Sequence, residues 1–321
     1  MRLWAWMAGL AALLAAQAAW AGNVGFERVT APAGADKPLV VGIWYPTDAP
    51  EAPMALGPSS QVVALGAPVA GANHPLILIS HGTGGSFGDH FDTAKALAQA
   101  GFIVAAVSHT GDTYDDRSRT RRISERPGHL TPVIDYMTTT WRGHDAIDAR
   151  RIGAFGFSAG GFTVLGAIGG EIDLSLMAAH CRQHPHFYDC ATIGKLGEAP
   201  PAKPAPVSHD ARIKAAVVAA PAMGFAFAPA GLAKVTVPVQ LWRAEWDTVL
   251  PQPYYAEVVH GLLPKAEYRL APHADHFDFL PPCSDQLAKL APDVCVSNID
   301  RAAFHKTFNA EVVRFFKKTL D

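Results

Sequence analysis

Charged residues are scarce in this chain: aspartate, glutamate, lysine and arginine make up 17% of it, with 27 basic against 29 acidic side chains. They form no basic stripe and no run of one sign, which excludes nucleic acid as a partner. With apolar residues at 49%, the composition also excludes a disordered, charge-extended binder. Cysteine is rare, at four residues in 321, so the fold rests on a hydrophobic core rather than on a dense disulfide framework. No internal repeat is present, and no apolar run is long enough to span a bilayer comfortably.

The longest apolar run, Leu3 to Ala16, sits between Met1-Arg2 and the small-x-small site Ala19-Trp20-Ala21. Short positive start, apolar centre and small-residue site are the parts of a secretory signal peptide. The expectation is residues 1–21 as a signal peptide cleaved after Ala21, with a periplasmic or secreted location. No cysteine follows the site, so neither a lipid anchor nor another stable membrane anchor is expected. Loss of Arg2 leaves 26 basic against 29 acidic residues, a net charge near −3. Residues 22–321 suffice for one large core, read as a single domain.

In an oxidising compartment the close pairs Cys181/Cys190 and Cys283/Cys295 point to two local disulfides, the simplest of three pairings. The cluster His180-Cys181-x-x-His184-x-His186 with Asp189 and Cys190 matches no structural zinc spacing, and no metal is expected.

Along the chain, Val24 to Val29 and Leu39 to Tyr45 read as an antiparallel hairpin at a sheet edge. Ala49 to Pro68, rich in Pro, Ala and Gly, reads as a surface excursion. Apolar strands follow at Pro75 to Ser80, Phe102 to Val107, Ile152 to Phe157, Ile213 to Ala219, Val237 to Trp242 and Glu267 to Leu270. Helical patterns fall at Asp92 to Ala100, Thr131 to Thr140, Thr163 to Ile168, Pro253 to Leu263 and Arg301 to Leu320. This alternation predicts an α/β fold, a mostly parallel central sheet with helices on both faces. The stretch from Gly169 to Asp210, with two cysteines, several histidines and a Pro-Ala run, reads as an inserted lid.

The most informative stretch is Gly156-Phe157-Ser158-Ala159-Gly160. It fits G-x-S-x-G between a buried strand and a helix, the context of a nucleophile elbow. The glycines fit a turn too tight for a Cβ, which lifts the Ser158 hydroxyl above the sheet edge. A serine nucleophile needs a base, a group to orient that base, and donors for an oxyanion. Beyond the strand ending at Trp242 lie Glu245 and Asp247, with Asp247 the better candidate for the orienting acid. Beyond the last strand, His273 and His276 compete for the base. The chain order Ser158, Asp247, His276 is the serine–acid–histidine order of hydrolases. The oxyanion donors are expected to be the backbone N–H groups of Ala159, next to the nucleophile, and Thr83, in the loop His81-Gly-Thr-Gly-Gly. His81 reads as a structural hydrogen-bonder and His109 as a core-edge residue. Phe225, Phe227, Trp242 and Trp246 are candidates for pocket walls or for ordinary core.

Taken together, Trp44-Tyr-Pro-Thr47, Ser80-His-Gly-Thr-Gly84, Gly156-Phe-Ser-Ala-Gly-Gly161, Asp247-x-x-x-Pro251 and His276-Phe-Asp-Phe-Leu280 carry a likeness. The chain resembles the platelet-activating-factor acetylhydrolase and dienelactone-hydrolase-like branch of α/β-hydrolases, over nearly all of residues 22–321. The resemblance implies an α/β-hydrolase fold, esterase activity on short-acyl esters, a small-molecule ester as partner and no cofactor. It also implies His276, in the H-F-x-F segment, as the base and Thr83 as the second oxyanion donor. The expected function is therefore that of a serine ester hydrolase. A lipase, a peptidase or amidase with the same triad, and a non-catalytic hydrolase-fold binder are the alternatives.

Overall fold

The computed structural model describes residues 22–34, 36–195, 208–227 and 229–321. The expected signal peptide, and the Pro-Ala run of the expected lid, lie outside the described residues.

Ten strands form one sheet: β1 (Asn23–Ala33), β2 (Asp36–Thr47), β3 (Ala52–Leu56), β4 (Ser59–Leu65), β5 (His74–Ser80), β6 (Ile103–Ser108), β7 (Ile147–Phe157), β8 (Ile213–Ala219), β9 (Val239–Ala244) and β10 (Glu267–Ala271). Their order is β10-β9-β8-β7-β5-β6-β2-β1-β4-β3. The six strands from β10 to β6 run parallel to one another, and β6 pairs antiparallel with β2. The central ones were legible as apolar runs because a parallel sheet is covered on both faces, whereas β10 at the edge, Glu-Tyr-Arg-Leu-Ala, is mostly only part-buried. Every residue of β5, His-Pro-Leu-Ile-Leu-Ile-Ser, is buried. Side-chain alternation divides the core into two layers. Leu76, Leu78, Ala105, Val107 and Ala154 join one cluster, and Ile77, Ile79, Val104, Ala106 and Phe155 the other.

Helices α1 (Phe91–Gln99), α2 (Leu130–Thr139), α3 (Ala159–Ala167), α4 (Ser175–Gln183), α5 (Tyr188–Lys195), α6 (Ala256–Leu262), α7 (Asp285–Leu290), α8 (Pro292–Cys295) and α9 (Arg301–Leu320) complete the chain. Apolar residues of α1 and α9 belong to the second core cluster, and those of α2, α3 and α6 to the first, so helices cover both faces. All nine residues of α3 are buried, which explains its small, uniformly apolar sequence.

The structure departs from the sequence reading at one end of the sheet. Ala49 to Pro68 is no loose excursion: β3 and β4 form a hairpin, and β4 pairs in parallel with β1. The hairpin β1–β2 is antiparallel as expected, but it lies inside the sheet rather than at its edge. Two disulfides, Cys181–Cys190 and Cys283–Cys295, match the expected local pairing. The first joins α4 to α5, and the second ties α8 to the segment before α7.

Candidate active site

The turn between β7 and α3 is compressed from both sides. A Cβ on Gly156 would lie 2.1 Å from the Gly160 carbonyl oxygen, and one on Gly160 would lie 1.8 Å from the Ser80 carbonyl oxygen. Neither obstacle can rotate away, since both are backbone. Ser158 between them has φ 55° and ψ −118°, a left-handed φ that costs a non-glycine residue about 1–3 kcal/mol. Packing and two backbone bonds hold it there: Ser158 N–H donates to Ala219 O at 2.9 Å, and Ser158 O accepts from Ala222 N–H at 2.9 Å.

Asp247 and His276 stand in the loops after β9 and β10. Asp247 Oδ2 lies 2.8 Å from His276 Nδ1, and His276 Nε2 lies 3.0 Å from Ser158 Oγ. A carboxylate only accepts, so Nδ1 carries the proton and Nε2 is free to accept from the serine hydroxyl. The other carboxylate oxygen, Oδ1, accepts from Val249 N–H at 3.1 Å and Leu250 N–H at 2.6 Å, which fixes its plane. His276 begins a short turn capped by Asp275, whose side chain also accepts from Thr248 N–H at 2.8 Å. One aspartate thus ties the loop of His276 to the loop of Asp247. The His276 side chain is 2% exposed and that of Asp247 6%.

Glu245 and His273 stand apart from this line. Glu245 Oε2 accepts from the His273 N–H at 2.8 Å and lies 3.3 Å from its Nδ1. The His273 side chain is 63% exposed, so the pair faces solvent.

The loop after β5 faces Ser158 from the other side, with a Cβ on Gly82 placed 3.5 Å from Ser158 Cβ. Its residues are pinned around Thr83. His81 Nδ1–H donates to Gly82 O at 2.6 Å, while His81 Nε2 accepts from His109 N–H at 3.0 Å. That ring is therefore neutral, in accord with a pKa pushed well below the usual histidine range by burial and by Arg126. Gly84 N–H donates to Asp112 Oδ1 at 3.0 Å, and Arg126 Nη2 donates to His81 O. Arg126 and Asp112 form an ion pair at 2.9 Å, each side chain 3% exposed. Among the described residues, neither Thr83 N–H nor Ala159 N–H donates to any acceptor. Two unspent donors thus flank the serine, one of them at the N-terminus of α3, where the helix dipole favours negative charge.

The sequence reading missed Arg126 and Asp112. Arg126 lies in a short 3-10 stretch, Thr120–His129, within an arginine-rich segment that gave no sign of an inward-facing member. His109, expected at the edge of the core, is fully buried and bonds Ser80 Oγ at 2.8 Å. None of the aromatic residues read as pocket wall or ordinary core is in the lining of the cavity beside Ser158. Phe227 and Trp242 are core, Phe225 stacks on His180 with ring centres 3.9 Å apart, and Trp246 is 49% exposed. Ser158 and Thr83 line one cavity, and Ile123, Leu174, Met177, Met223 and Leu250 give it apolar walls. Arg121, Tyr188 and Asp189 add polar groups to the same lining. His180, Asp189 and Cys190 come within 4.8 Å of one another, but the Cys190 sulfur is committed to its disulfide. Two ligands remain, too few for a structural zinc site.

Residues 89–193 match the model of the prolyl oligopeptidase family of peptidases, a span running from the start of α1 through Ser158 to α5. No curated protein matches the chain. Among solved structures, a ferulic acid esterase from Streptomyces cinnamoneus is similar, with TM-score 0.61 and 19% identity over 95% of this chain and 92% of that one. A dienelactone hydrolase from Anabaena variabilis is similar with TM-score 0.55 and 16% identity, over 93% of this chain and 100% of that one. The fold is the α/β-hydrolase fold.

Proposed function

We propose that the protein is a serine ester hydrolase in which Ser158 is the nucleophile, His276 the general base and Asp247 the group that orients the base. The observation that carries this is the hydrogen-bonded line from Asp247 through His276 to Ser158, set beside two N–H groups with no acceptor. His276 Nε2 takes the hydroxyl proton as Ser158 Oγ attacks the ester carbonyl. Asp247 stabilises the imidazolium so formed. Charge on the carbonyl oxygen is met by the Ala159 and Thr83 N–H groups, and the imidazolium then protonates the departing alcohol. Water, deprotonated by His276, attacks the acyl-enzyme and regenerates Ser158.

The similarity to an esterase and to a dienelactone hydrolase supports an ester or lactone substrate. The partial match to a peptidase family favours a second reading, a peptidase with the same machinery. A 4-nitrophenyl ester and the matching 4-nitroanilide separate the two by kcat/KM. Residues 1–21 are proposed to direct export and to be removed. Among the described residues, no helix is long and apolar enough to cross a membrane.

The decisive test is labelling by a fluorophosphonate, with the modified residue identified by peptide mass. Modification of Ser158, and a loss of kcat on the order of 10⁶-fold in Ser158→Ala, is the expected result. No labelling in folded protein would leave a non-catalytic binder as the better account.

A further inference from the structure

The turn after β8, Ala220-Pro221-Ala222-Met223-Gly224, presses against the nucleophile without entering the chemistry. Ala222 N–H donates to Ser158 O at 2.9 Å, and a Cβ on Gly161 would lie 3.0 Å from Pro221 Cα. Two of its residues carry a Cβ in left-handed backbone, Ala220 at φ 42° and Met223 at φ 52°, a conformation that glycine adopts more readily. The glycine stands one place later for a different reason: a Cβ on Gly224 would lie 2.1 Å from Tyr255 O. Backbone strain of this kind persists only where its surroundings over-determine it, and it gathers at active sites. Glycine at 223 would relieve the strain at the loss of a long side chain beside Ser158. Met223 is 4% exposed, belongs to the same core cluster as Leu174, Met177 and Leu250, and lines the cavity with those three residues and Ser158.

The fold decides which part of an ester this cavity receives. Its apolar lining, Leu174, Met177, Ala222, Met223 and Leu250, belongs to the core layer on one face of the sheet. The turn that carries His276 packs on the other face. Ala274 and Phe279 belong to the second cluster, and the His276 ring lies against Phe157 of that cluster with ring centres 4.8 Å apart. A departing alcohol takes its proton from His276 Nε2, so it stands on the His276 side. The carbonyl oxygen turns to the Thr83 and Ala159 N–H groups. The remaining substituent, the acyl chain, points away from His276 and into the cavity.

We propose that this cavity is the acyl pocket and that Met223 is a specificity-determining residue, its side chain closing the pocket to long straight acyl chains. The selection is by volume rather than by a polar contact, since a thioether offers a substrate no strong hydrogen-bonding group. Truncating Met223 should therefore lengthen the acyl chain that the enzyme accepts and leave its choice of alcohol as it was.

The inference rests on the hydrolase reading, and the test separates the two. 4-Nitrophenyl butanoate and hexanoate vary the acyl chain, while butyl and hexyl acetate vary the alcohol. The readout is the longer-to-shorter ratio of kcat/KM within each pair, from which active-enzyme concentration cancels. Met223→Ala removes the side chain beyond Cβ. It should raise the acyl ratio by about tenfold, each buried methylene being worth roughly fourfold, and leave the alcohol ratio within about twofold. Met223→Gly, which suits φ 52°, should do the same and serves where the alanine variant fails to fold. Met223→Leu, close in volume, should keep both ratios of the unaltered protein, which a general loosening of the turn would not. An acyl ratio that stays within about threefold in the truncated variants, or an alcohol ratio that rises as much as the acyl ratio, would overturn the inference and leave the hydrolase reading intact. Failure to hydrolyse any of the four esters would overturn it too, and an absence of fluorophosphonate labelling besides would overturn the hydrolase reading.

Discussion

Arg126 touches no reacting atom in the proposed chemistry, yet Arg126→Met should damage both stability and turnover. Arg126 and Asp112 are buried together, and burial lowers the guanidinium only to about 10, so it stays charged at neutral pH. Methionine fills much of the volume but leaves Asp112 Oδ2 bare, because Gly84 N–H and Thr120 Oγ1–H both donate to Oδ1. Breaking a buried pair from one side costs about 3–5 kcal/mol. Native stabilities are about 5–15 kcal/mol, so the variant should fold yet unfold at clearly lower urea. Turnover should fall as well. Arg126 holds His81 O and, through Asp112, Gly84 N–H, the two anchors on either side of Thr83. Loss of one oxyanion donor costs about 10²–10³ in kcat. In the proposed chemistry these donors meet the developing oxyanion rather than the ground-state carbonyl, so KM should change little.

Urea titration and steady-state kinetics on one preparation measure both effects. The double variant Arg126→Met/Asp112→Asn strands no charge, and it should regain much of the lost stability. Its kcat should stay low, since His81 O is still unheld. A single variant that loses less than about 1 kcal/mol, or keeps kcat within about threefold, would refute the clamp.

His276→Ala should abolish ester turnover while His273→Ala retains most of it, as read by kcat on one nitrophenyl ester; the reverse would move the base to the solvent-facing pair. Stability should fall on acidification. Buried His81, His90 and His109 have pKa values driven down by desolvation, His90 to about 3. The unfolded chain takes up these protons near the ordinary 6.5, so their contribution is whole above that pH and is lost progressively below it. Each adds a slope of about 1.4 kcal/mol per pH unit. Asp89, pushed up to about 6, and Asp189, also raised by burial, gain native-state protons and offset part of this. Urea midpoints that stay level from pH 7 to pH 5 would refute the prediction. On acyl length, kcat/KM should peak at acetyl to butyryl esters. A rise of roughly fourfold per carbon through octanoyl, the value of a buried methylene, would instead indicate an open acyl groove.

The parallel strands were legible because burial on both faces leaves an apolar run in the sequence, and α9 matches its expected limits, Arg301 to Leu320. The hairpin of β3 and β4 was not. Its strands are short, largely exposed at β3, and interrupted by Pro53, so backbone pairing at a sheet end defines them more than side-chain pattern does. Ser158 was legible through glycines whose Cβ atoms would strike backbone. Asp112, Arg126 and Asp189 were not, because each is defined by a partner that only the fold supplies. Asp189 and Tyr255 are 66 residues apart.

The choice between the two histidines shows where sequence pattern stops carrying information. Glu245 with His273 and Asp247 with His276 are both acid–histidine couples spanning the same two loops. Residue type cannot rank them, and only the likeness to a known family favoured His276. Backbone geometry separates them. His273 has φ 59°, and its side chain and Glu245 pair in solvent, where an ion pair is worth little. Two residues later Asp275 caps the turn by accepting from His276 N–H, accepts from Thr248 N–H across the loops, and donates the return bond from its own N–H to Asp278 Oδ2. Asp278 is in turn fully buried against Arg301 of α9. His276 is therefore oriented by a chain of contacts reaching the last helix. A substitution at Arg301 should disturb His276 before it disturbs His273, although neither the spacing nor the composition of the loop marks any difference between them.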